Sequence, residues 1–246
     1  MSRVIEADNI VTRFGKHVVH QNLNLHVNRG EIYGLLGPSG CGKTTLMKEM
    51  VLLQKYQGGS MKVLGYDLNT IGHQKAQELR QQWGVLFQFG ALYSSLNIYD
   101  NIAVSLREYT TISETLIAEI VSYKIDIVGL QQSVKEQYPS EISGGMKKKA
   151  GLARALVMDP KLLFLDEPTS GLDPISAREF DALILRLRTR FDLSIVMVTH
   201  DLDSIEATLD RVAILDEKKV VAEGDLATVK ATDNRFVKSF FKGRPS

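Results

Sequence analysis

Gly37-Pro-Ser-Gly-Cys-Gly-Lys-Thr-Thr45 is the stretch from which the rest of the chain can be read. Gly37 to Thr44 fit Gly-x-x-x-x-Gly-Lys-Thr, a pattern in which glycines let successive main-chain N–H groups converge on phosphates at the start of a helix. On this reading Gly37, Pro38, Ser39, Gly40, Cys41 and Gly42 form the cradle. Lys43 neutralises β/γ-phosphate charge, Thr44 offers its hydroxyl to Mg²⁺, and Thr45 sits one residue deeper in the positive helix end. The flanks supply the required context. Ile32-Tyr-Gly-Leu-Leu36 is a short apolar run leading into the loop, and Thr44 to Leu53 reads as a helix with Leu46, Met50 and Leu53 on one face. Cys41 is read as a small residue that fits the turn, a bystander rather than a nucleophile.

A second stretch answers the first. Lys161-Leu-Leu-Phe-Leu-Asp-Glu167 is a buried-strand run ending in two carboxylates, which puts charge at the carboxyl end of a strand, where α/β sheets bind ligands. Asp166 then holds Mg²⁺, directly or through water. Glu167 polarises an attacking water as general base, a role worth roughly 10² to 10⁴ in rate. Either residue alone could simply be an acidic cap before Pro168; the pair beside a phosphate loop is harder to read that way.

Between and around these stretches the periodicity changes. Val4 to Leu36 consists of alternating or short apolar runs, broken at Arg13-Phe-Gly-Lys16 and Asn28-Arg-Gly-Glu31, and reads as β-rich. After a strand around Gly84 to Phe87, helical spacing runs from about Asn97 to Leu130, until Gln137-Tyr-Pro-Ser140 breaks it. The remainder alternates: strand Lys161 to Leu165, helix Ile175 to Phe191, strand Ser194 to Thr199, then strands around Val212 to Leu215 and Val220 to Ala222. The expectation is one α/β domain over 1–246, with a mostly parallel sheet built from 1–88 and 158–246 and a mainly helical insert at 89–157.

Composition narrows the function classes. A chain of 246 residues that is 44% hydrophobic supports one large α/β core. A net charge of +1 lacks the broad basic field of a non-specific nucleic-acid binder, so no nucleic-acid partner is expected. The lone Cys41 forms no internal disulfide and is compatible with a reducing compartment. No run approaches the roughly 20 apolar residues of a membrane span, and Met1-Ser-Arg-Val-Ile-Glu6 lacks a signal-peptide pattern, so a membrane role is expected to come through partners.

Phe14, Gly37 to Thr45, Gln88, Ile142-Ser-Gly-Gly-Met146, Leu165-Asp-Glu-Pro-Thr-Ser-Gly-Leu-Asp173 and His200 stand in that order, and the whole chain resembles the ATPase subunit of an ABC transporter. The resemblance implies an ABC-type nucleotide-binding domain: a RecA-like P-loop core, an antiparallel β-subdomain and an α-helical subdomain. It also implies a homodimer that sandwiches two ATPs, each with Mg²⁺, head to tail. Ser143, Gly144 and Gly145 then cap the γ-phosphate bound to the other protomer, from the N-terminus of a helix beginning near Met146. Asp173 communicates across that interface. Phe14 matches the aromatic on which adenine stacks, with turn packing as its alternative. Gln88 matches the glutamine that reaches Mg²⁺ and the water, and His200 the histidine that holds the γ-phosphate and positions Glu167. His17, His20, His26 and His73 lack that context and read as structural, and Lys147-Lys-Lys149 reads as a solvated basic face in preference to a phosphate or lipid-headgroup contact.

Phe87-Gln-Phe-Gly-Ala-Leu92, Asn97, Asp100-Asn101, Leu106-Arg-Glu-Tyr-Thr110 and the methionine of Ser-Gly-Gly-Met are further similar to MlaF-type ATPases of the Mla/MCE phospholipid transport systems. This narrower resemblance implies an MlaE-like integral membrane permease and an MlaD-like MCE protein as partners, with the ATPase peripheral on the cytoplasmic face of the inner membrane. It also implies a STAS-domain regulator, although Tyr109, Ile142 and a short tail after Phe241 depart from those relatives. Met146 stands where the wider family has glutamine; a thioether accepts hydrogen bonds only weakly, so phosphate capping rests on Ser143 and the backbone. An ABC ATPase serving another small-molecule cargo, or a soluble ABC protein outside transport, are the alternative readings.

Overall fold

The computed structural model describes residues 2–242. It begins with a long antiparallel hairpin, β1 (Arg3–Phe14) and β2 (His17–Asn28), which turns at Gly15 where Phe14 pairs with His17. β3 (Ile32–Leu36) feeds the glycine loop and α1 (Lys43–Met50). β4 (Gly58–Val63) and β5 (Tyr66–Asp67) return to the hairpin and complete an antiparallel sheet of order β2-β1-β4-β5. After α2 (His73–Arg80), β6 (Trp83–Leu86) enters a second sheet.

From Leu86 to Leu162 there is no strand: α3 (Ile98–Tyr109), α4 (Glu114–Ile127), two short 3₁₀ turns (Gln132–Glu136 and Pro139–Glu141) and α5 (Gly144–Ala155) follow in turn. The chain then alternates: β7 (Leu162–Asp166), α6 (Pro174–Phe191), β8 (Ser194–Val198), α7 (Leu202–Thr208), β9 (Arg211–Asp216), β10 (Lys219–Gly224), α8 (Leu226–Lys230) and α9 (Arg235–Phe241). The second sheet has order β10-β9-β3-β8-β7-β6, parallel throughout except for the β9/β10 pair.

The period-2 alternation of the buried strands sorts the core into two layers. Ile32, Leu163, Leu165, Ile195 and Met197 face a cluster built with α3 to α7, while Tyr33, Leu35, Leu162, Phe164, Val196 and Val198 face a cluster holding α1 and the antiparallel sheet. α1 therefore lies between the two sheets, with Leu46, Met47 and Met50 fully buried. α5 lies directly on β6. A Cβ on Gly84 would sit 2.0 Å from the Ala155 carbonyl oxygen, where two backbones meet, and one on Gly151 would sit 2.8 Å from Leu86 Cδ1 and 3.1 Å from the Gly90 carbonyl oxygen, so neither position has room for a side chain as the chain stands.

Several local expectations need correction. α1 ends at Met50 and not near Leu53, whose side chain is 61% exposed. The helical run from Asn97 to Leu130 is two helices, because Thr110 leaves helical geometry and Ser113 caps α4 by accepting from the Leu116 N–H. α5 starts at Gly144, ahead of Met146, with Ser143 as its N-cap. Lys147 to Lys149 is not one solvated face, since Lys148 is only 5% exposed. Met1 and the tail beyond Lys242 lie outside the described residues.

Candidate functional site

Strand order explains how residues far apart in sequence meet. β6, β7, β8 and β3 are consecutive neighbours in the sheet, all parallel, and each carboxyl end delivers part of one pocket. Gln88 follows β6, Asp166 and Glu167 close β7, His200 follows β8, and the glycine loop follows β3. The pocket has a volume of about 530 Å³ and is lined by Gly37, Ser39, Gly40, Gly42, Lys43, Thr44, Thr45, Gln88, Asp166, Glu167 and His200, joined by Val19 and Val198. A hollow of similar size, about 570 Å³, lies between the end of α1 and α2 and contains none of the loop residues.

The loop is held from within. Lys43 Nζ donates to the carbonyls of Gly37 (2.8 Å) and Pro38 (2.9 Å), with Cys41 Sγ at 3.8 Å. Its third N–H thus faces only a weak sulfur acceptor, and a phosphate oxygen would outcompete it. Cys41 packs against the apolar cluster under α1, and burial pushes its thiol up, which leaves it poorly suited to nucleophilic work.

Gly42 caps α1 in a left-handed conformation (φ 103°), and a Cβ there would lie 2.4 Å from His20 Nε2 and 2.6 Å from Val19 Cγ1. His20 is fully buried. Thr12 Oγ1 donates to Glu49 Oε1 (2.7 Å), so its oxygen accepts from His20 Nδ1 (2.9 Å), which places the histidine proton on Nδ1. A polar chain from the hairpin to α1 thereby backs the loop.

At the acidic end, Thr44 Oγ1 lies 3.4 Å from both carboxylate oxygens of Asp166. Burial first, and then the neighbouring Glu167 charge, push Asp166 above the usual carboxylate range. A dication would relieve both effects. No group of three or more His, Cys, Asp or Glu side chains that could hold a metal ion occurs among the described residues; the Thr44 hydroxyl and the Asp166 carboxylate meet, and Gln88 lines the same pocket, a sparse set of oxygen donors that suits Mg²⁺ shared with substrate phosphates and water.

Glu167 has positive φ (49°), a strained conformation for a non-glycine residue, and is pinned on both sides. Its N–H donates to the Val198 carbonyl (2.8 Å), and its own carbonyl accepts from Ser170 N (3.2 Å) and Lys148 Nζ (3.0 Å). Its carboxylate lies 2.8 Å from His200 Nδ1, on a histidine side chain that is 70% exposed. Gln88 Nε2 reaches Ser170 Oγ (3.3 Å). A carboxylate, a histidine bonded to it, a strand-end glutamine and a phosphate loop thus face one hollow, which is the equipment for phosphoryl transfer to water.

Other sequence-derived candidates stand apart from this pocket. Phe14 is 48% exposed at the hairpin tip, and Val19 on the partner strand lines the wall in its place. Ser143 and Gly144 are exposed at the start of α5, where Ser143 Oγ accepts from Met146 N (3.3 Å). Gly145 lies beside them, next to Leu172, and the exposed Asp173 caps α6 through the N–H groups of Ile175 and Ser176. This second group forms its own surface.

Sequence reading missed Val19, read Lys148 as part of a solvated face, and gave Asn101 no structural duty. Asn101 is fully buried and ties together the chain after Gln88, bonding the main chain of Tyr93, Leu96 and Asn97. Asn97 caps α3, and Arg107 clamps Asp100 and Glu114, so these residues of the narrower resemblance have structural duties.

Residues 20–170 match the ABC transporter family. The chain is 38% identical over 244 residues to the "Probable ribonucleotide transport ATP-binding protein mkl" of Mycobacterium leprae, covering 99% of this chain and 70% of that protein. It is also 38% identical over 240 residues to the "Intermembrane phospholipid transport system ATP-binding protein MlaF" of Haemophilus influenzae, covering 98% of this chain and 90% of that one. Among solved structures, the dimeric ATP-binding cassette MJ0796 bound to ADP and Pi shares the fold, with a TM-score of 0.82 at 24% identity over 90% of this chain and 98% of that one.

Proposed function

The chain belongs to the ABC transporter family and is an ATPase that works on ATP with Mg²⁺, and from that premise we propose that it drives the movement of phospholipid through a membrane permease. The observation that carries the cargo reading is the extent of the MlaF match, which spans 98% of this chain and 90% of the relative. The second reading, a different small-molecule cargo, draws on the mkl relative, which is named for ribonucleotide transport and is equally similar.

In this reading the loop N–H groups and Lys43 receive the β- and γ-phosphates, and Phe14 stacks on the base. Thr44, Asp166 and Gln88 would hold Mg²⁺, which would supply positive charge against the transferring phosphoryl group. Glu167 takes the proton of the attacking water, and His200 orients that carboxylate through the Nδ1 bond. Ser143, Gly144 and Gly145 have no phosphate loop of their own chain in front of them, so they serve a second copy, and Asp173 beside them stands at the seam. Residues 89–157 act as the helical subdomain whose movement, as the two sites close, drives the permease. An MlaE-like permease and an MlaD-like MCE protein complete the assembly on the cytoplasmic face of the inner membrane, with a STAS-domain regulator as a further component. No helix among the described residues is long and apolar enough to cross a membrane, consistent with a peripheral subunit.

The test is to co-express the chain with its neighbouring genes, purify through a tag on it, and identify bound proteins and lipids by mass spectrometry. An MCE protein, a permease and phospholipid support the proposal. A different permease without lipid leaves the ATPase standing and removes the cargo.

A further inference from the structure

Lys148 has no place in the mechanism above, and a lysine on a helix bearing Lys147 and Lys149 reads at first as solvent-facing. It is instead, with Lys124, one of two buried Lys or Arg side chains among the described residues, 5% exposed, on the face of α5 that lies over β6. Its ammonium donates to the main-chain carbonyls of Gln88 and Glu167, the latter at 3.0 Å. These carbonyls belong to the exits of neighbouring strands, β6 and β7, and each is the backbone of a residue whose side chain faces the pocket. Burying an ammonium costs several kcal/mol unless its donors are used, so two carbonyls and the nearby carboxylates of Glu167 and Asp166 are what make this position tenable.

The surrounding contacts give the bond a purpose. Arg154, two turns further along α5, donates to the carbonyls of Ala91 (2.6 Å) and Gly90 (3.3 Å), so the same helix grips the Gln88 loop twice. Gly151 lies between them and lets Gly90 approach. Only Lys148 also reaches β7. Glu167 is left-handed, and its carbonyl is otherwise held by the Ser170 N–H alone. Ser170 in turn receives the Gln88 side chain, so Lys148, Gln88, Ser170 and Glu167 close a ring of hydrogen bonds between the helix that carries Ser143 to Gly145 and the residue whose carboxylate lines the pocket.

We propose that Lys148 is a positioning residue for hydrolysis: its ammonium fixes the spacing of the Gln88 and Glu167 main chains and ties that spacing to the placement of α5. This rests on the assignment of Glu167 as the base. Nucleotide affinity is set by the loop and Lys43, which Lys148 does not touch, so the proposal separates the rate of the chemical step from binding.

The experiment uses the full chain in the assembly in which the unsubstituted protein hydrolyses ATP. Lys148→Met keeps the length and removes the charge. Its expected result is a fall in kcat of roughly tenfold or more, the scale set by misplaced catalytic groups, with the KM for ATP within about twofold. Lys148→Arg, which can donate to both carbonyls, should return most of the rate. Lys148→Gln, able to reach one carbonyl, should fall between and serves if the methionine variant does not fold. An unchanged kcat in Lys148→Met or Lys148→Gln overturns the proposal, and so does a joint loss of kcat and ATP binding that arginine does not relieve. Glu167→Gln run in parallel separates the two levels: if it turns over normally, the site assignment itself fails; if it is inactive while the Lys148 variants are unaffected, only the role of Lys148 fails.

Discussion

The pocket behind Gly37 to Thr45 draws its walls from the ends of four parallel strands and from Val19 of the hairpin, whereas the helix tip at Ser143 to Gly145 has an N-cap, a neighbouring Leu172 and open space. Both present main-chain N–H groups at the start of a helix, the same chemistry for an anion. They differ in everything around those groups. The loop comes with a lysine, a hydroxyl, two carboxylates and a histidine; the tip comes with none of them and remains exposed. In the proposed dimer a site is brought to this bare helix tip, and a twofold axis does this without any further component.

The sharpest way to break this comparison is complementation. Lys43→Ala should abolish hydrolysis by spoiling the pocket. Gly144→Glu should do the same by spoiling the tip while leaving the fold intact, since a Cβ at Gly144 meets nothing within 4 Å and an acidic side chain suits a helix N-terminus. Mixing the two inactive chains should restore about a quarter of the activity, half the dimers being mixed and each holding one sound pocket opposite one sound tip. ATPase assays on the mixture decide it; no recovery would mean that pocket and tip serve the same chain.

Next in size, Glu167→Gln should lower kcat by roughly 10² to 10⁴ with ATP affinity retained, as measured by equilibrium binding and single-turnover kinetics. Retained turnover would remove Glu167 as the base. A smaller effect tests what stiffens the pocket side. Thr12→Val leaves Glu49 and His20 without their shared partner and should cost about 1 to 3 kcal/mol of stability, read by denaturant unfolding; a neutral result would show that the buried chain does not brace the loop.

The smallest effect belongs to the helical layer on the other face of the sheet. Burial pushes Asp181 up to about 6, against the Ser204 hydroxyl bond that pulls it down. Its raised value means that the folded state binds the proton more tightly than the unfolded chain, so this residue's stabilising effect is full below about pH 4 and is lost as pH rises toward 6. Asp181→Asn, which still accepts from Ser204, should therefore raise the melting temperature at pH 7 and change it little near pH 4. A pH-independent difference would refute the assignment.

The parts of the fold that were legible before the structure are those where one physical demand dominates. Buried strands such as Leu162 to Leu165 and Ile195 to Val198 announce themselves through unbroken apolar runs, and their carboxyl ends carry the chemistry because a parallel sheet collects its loops there. β4 and β5 did not, since Gly58-Gly-Ser-Met-Lys-Val63 has little β signature of its own and is a strand because β1 offers it an edge. Leu53 was misplaced because helical periodicity says nothing about where capping ends a helix. Lys148 was illegible for a deeper reason: a lysine is buried only when the tertiary fold brings carbonyls to it, and those carbonyls come from positions 88 and 167.

The contact of Gly84 with Ala155 has a mechanical consequence. With the backbone of β6 and the end of α5 in direct touch, there is no side-chain cushion to compress, so α5 cannot press closer to the sheet there, while a tilt about that point remains open to it. The eleven residues from there to Gly144 make an arm of about 16 Å at 1.5 Å per residue, and a tilt of roughly ten degrees carries its tip about 3 Å. In the proposed dimer that is the difference between touching a phosphate and missing it. The absent methyl group at Gly84 thus forms the fulcrum of a lever whose short end rests on β6 and whose long end carries Ser143 to Gly145.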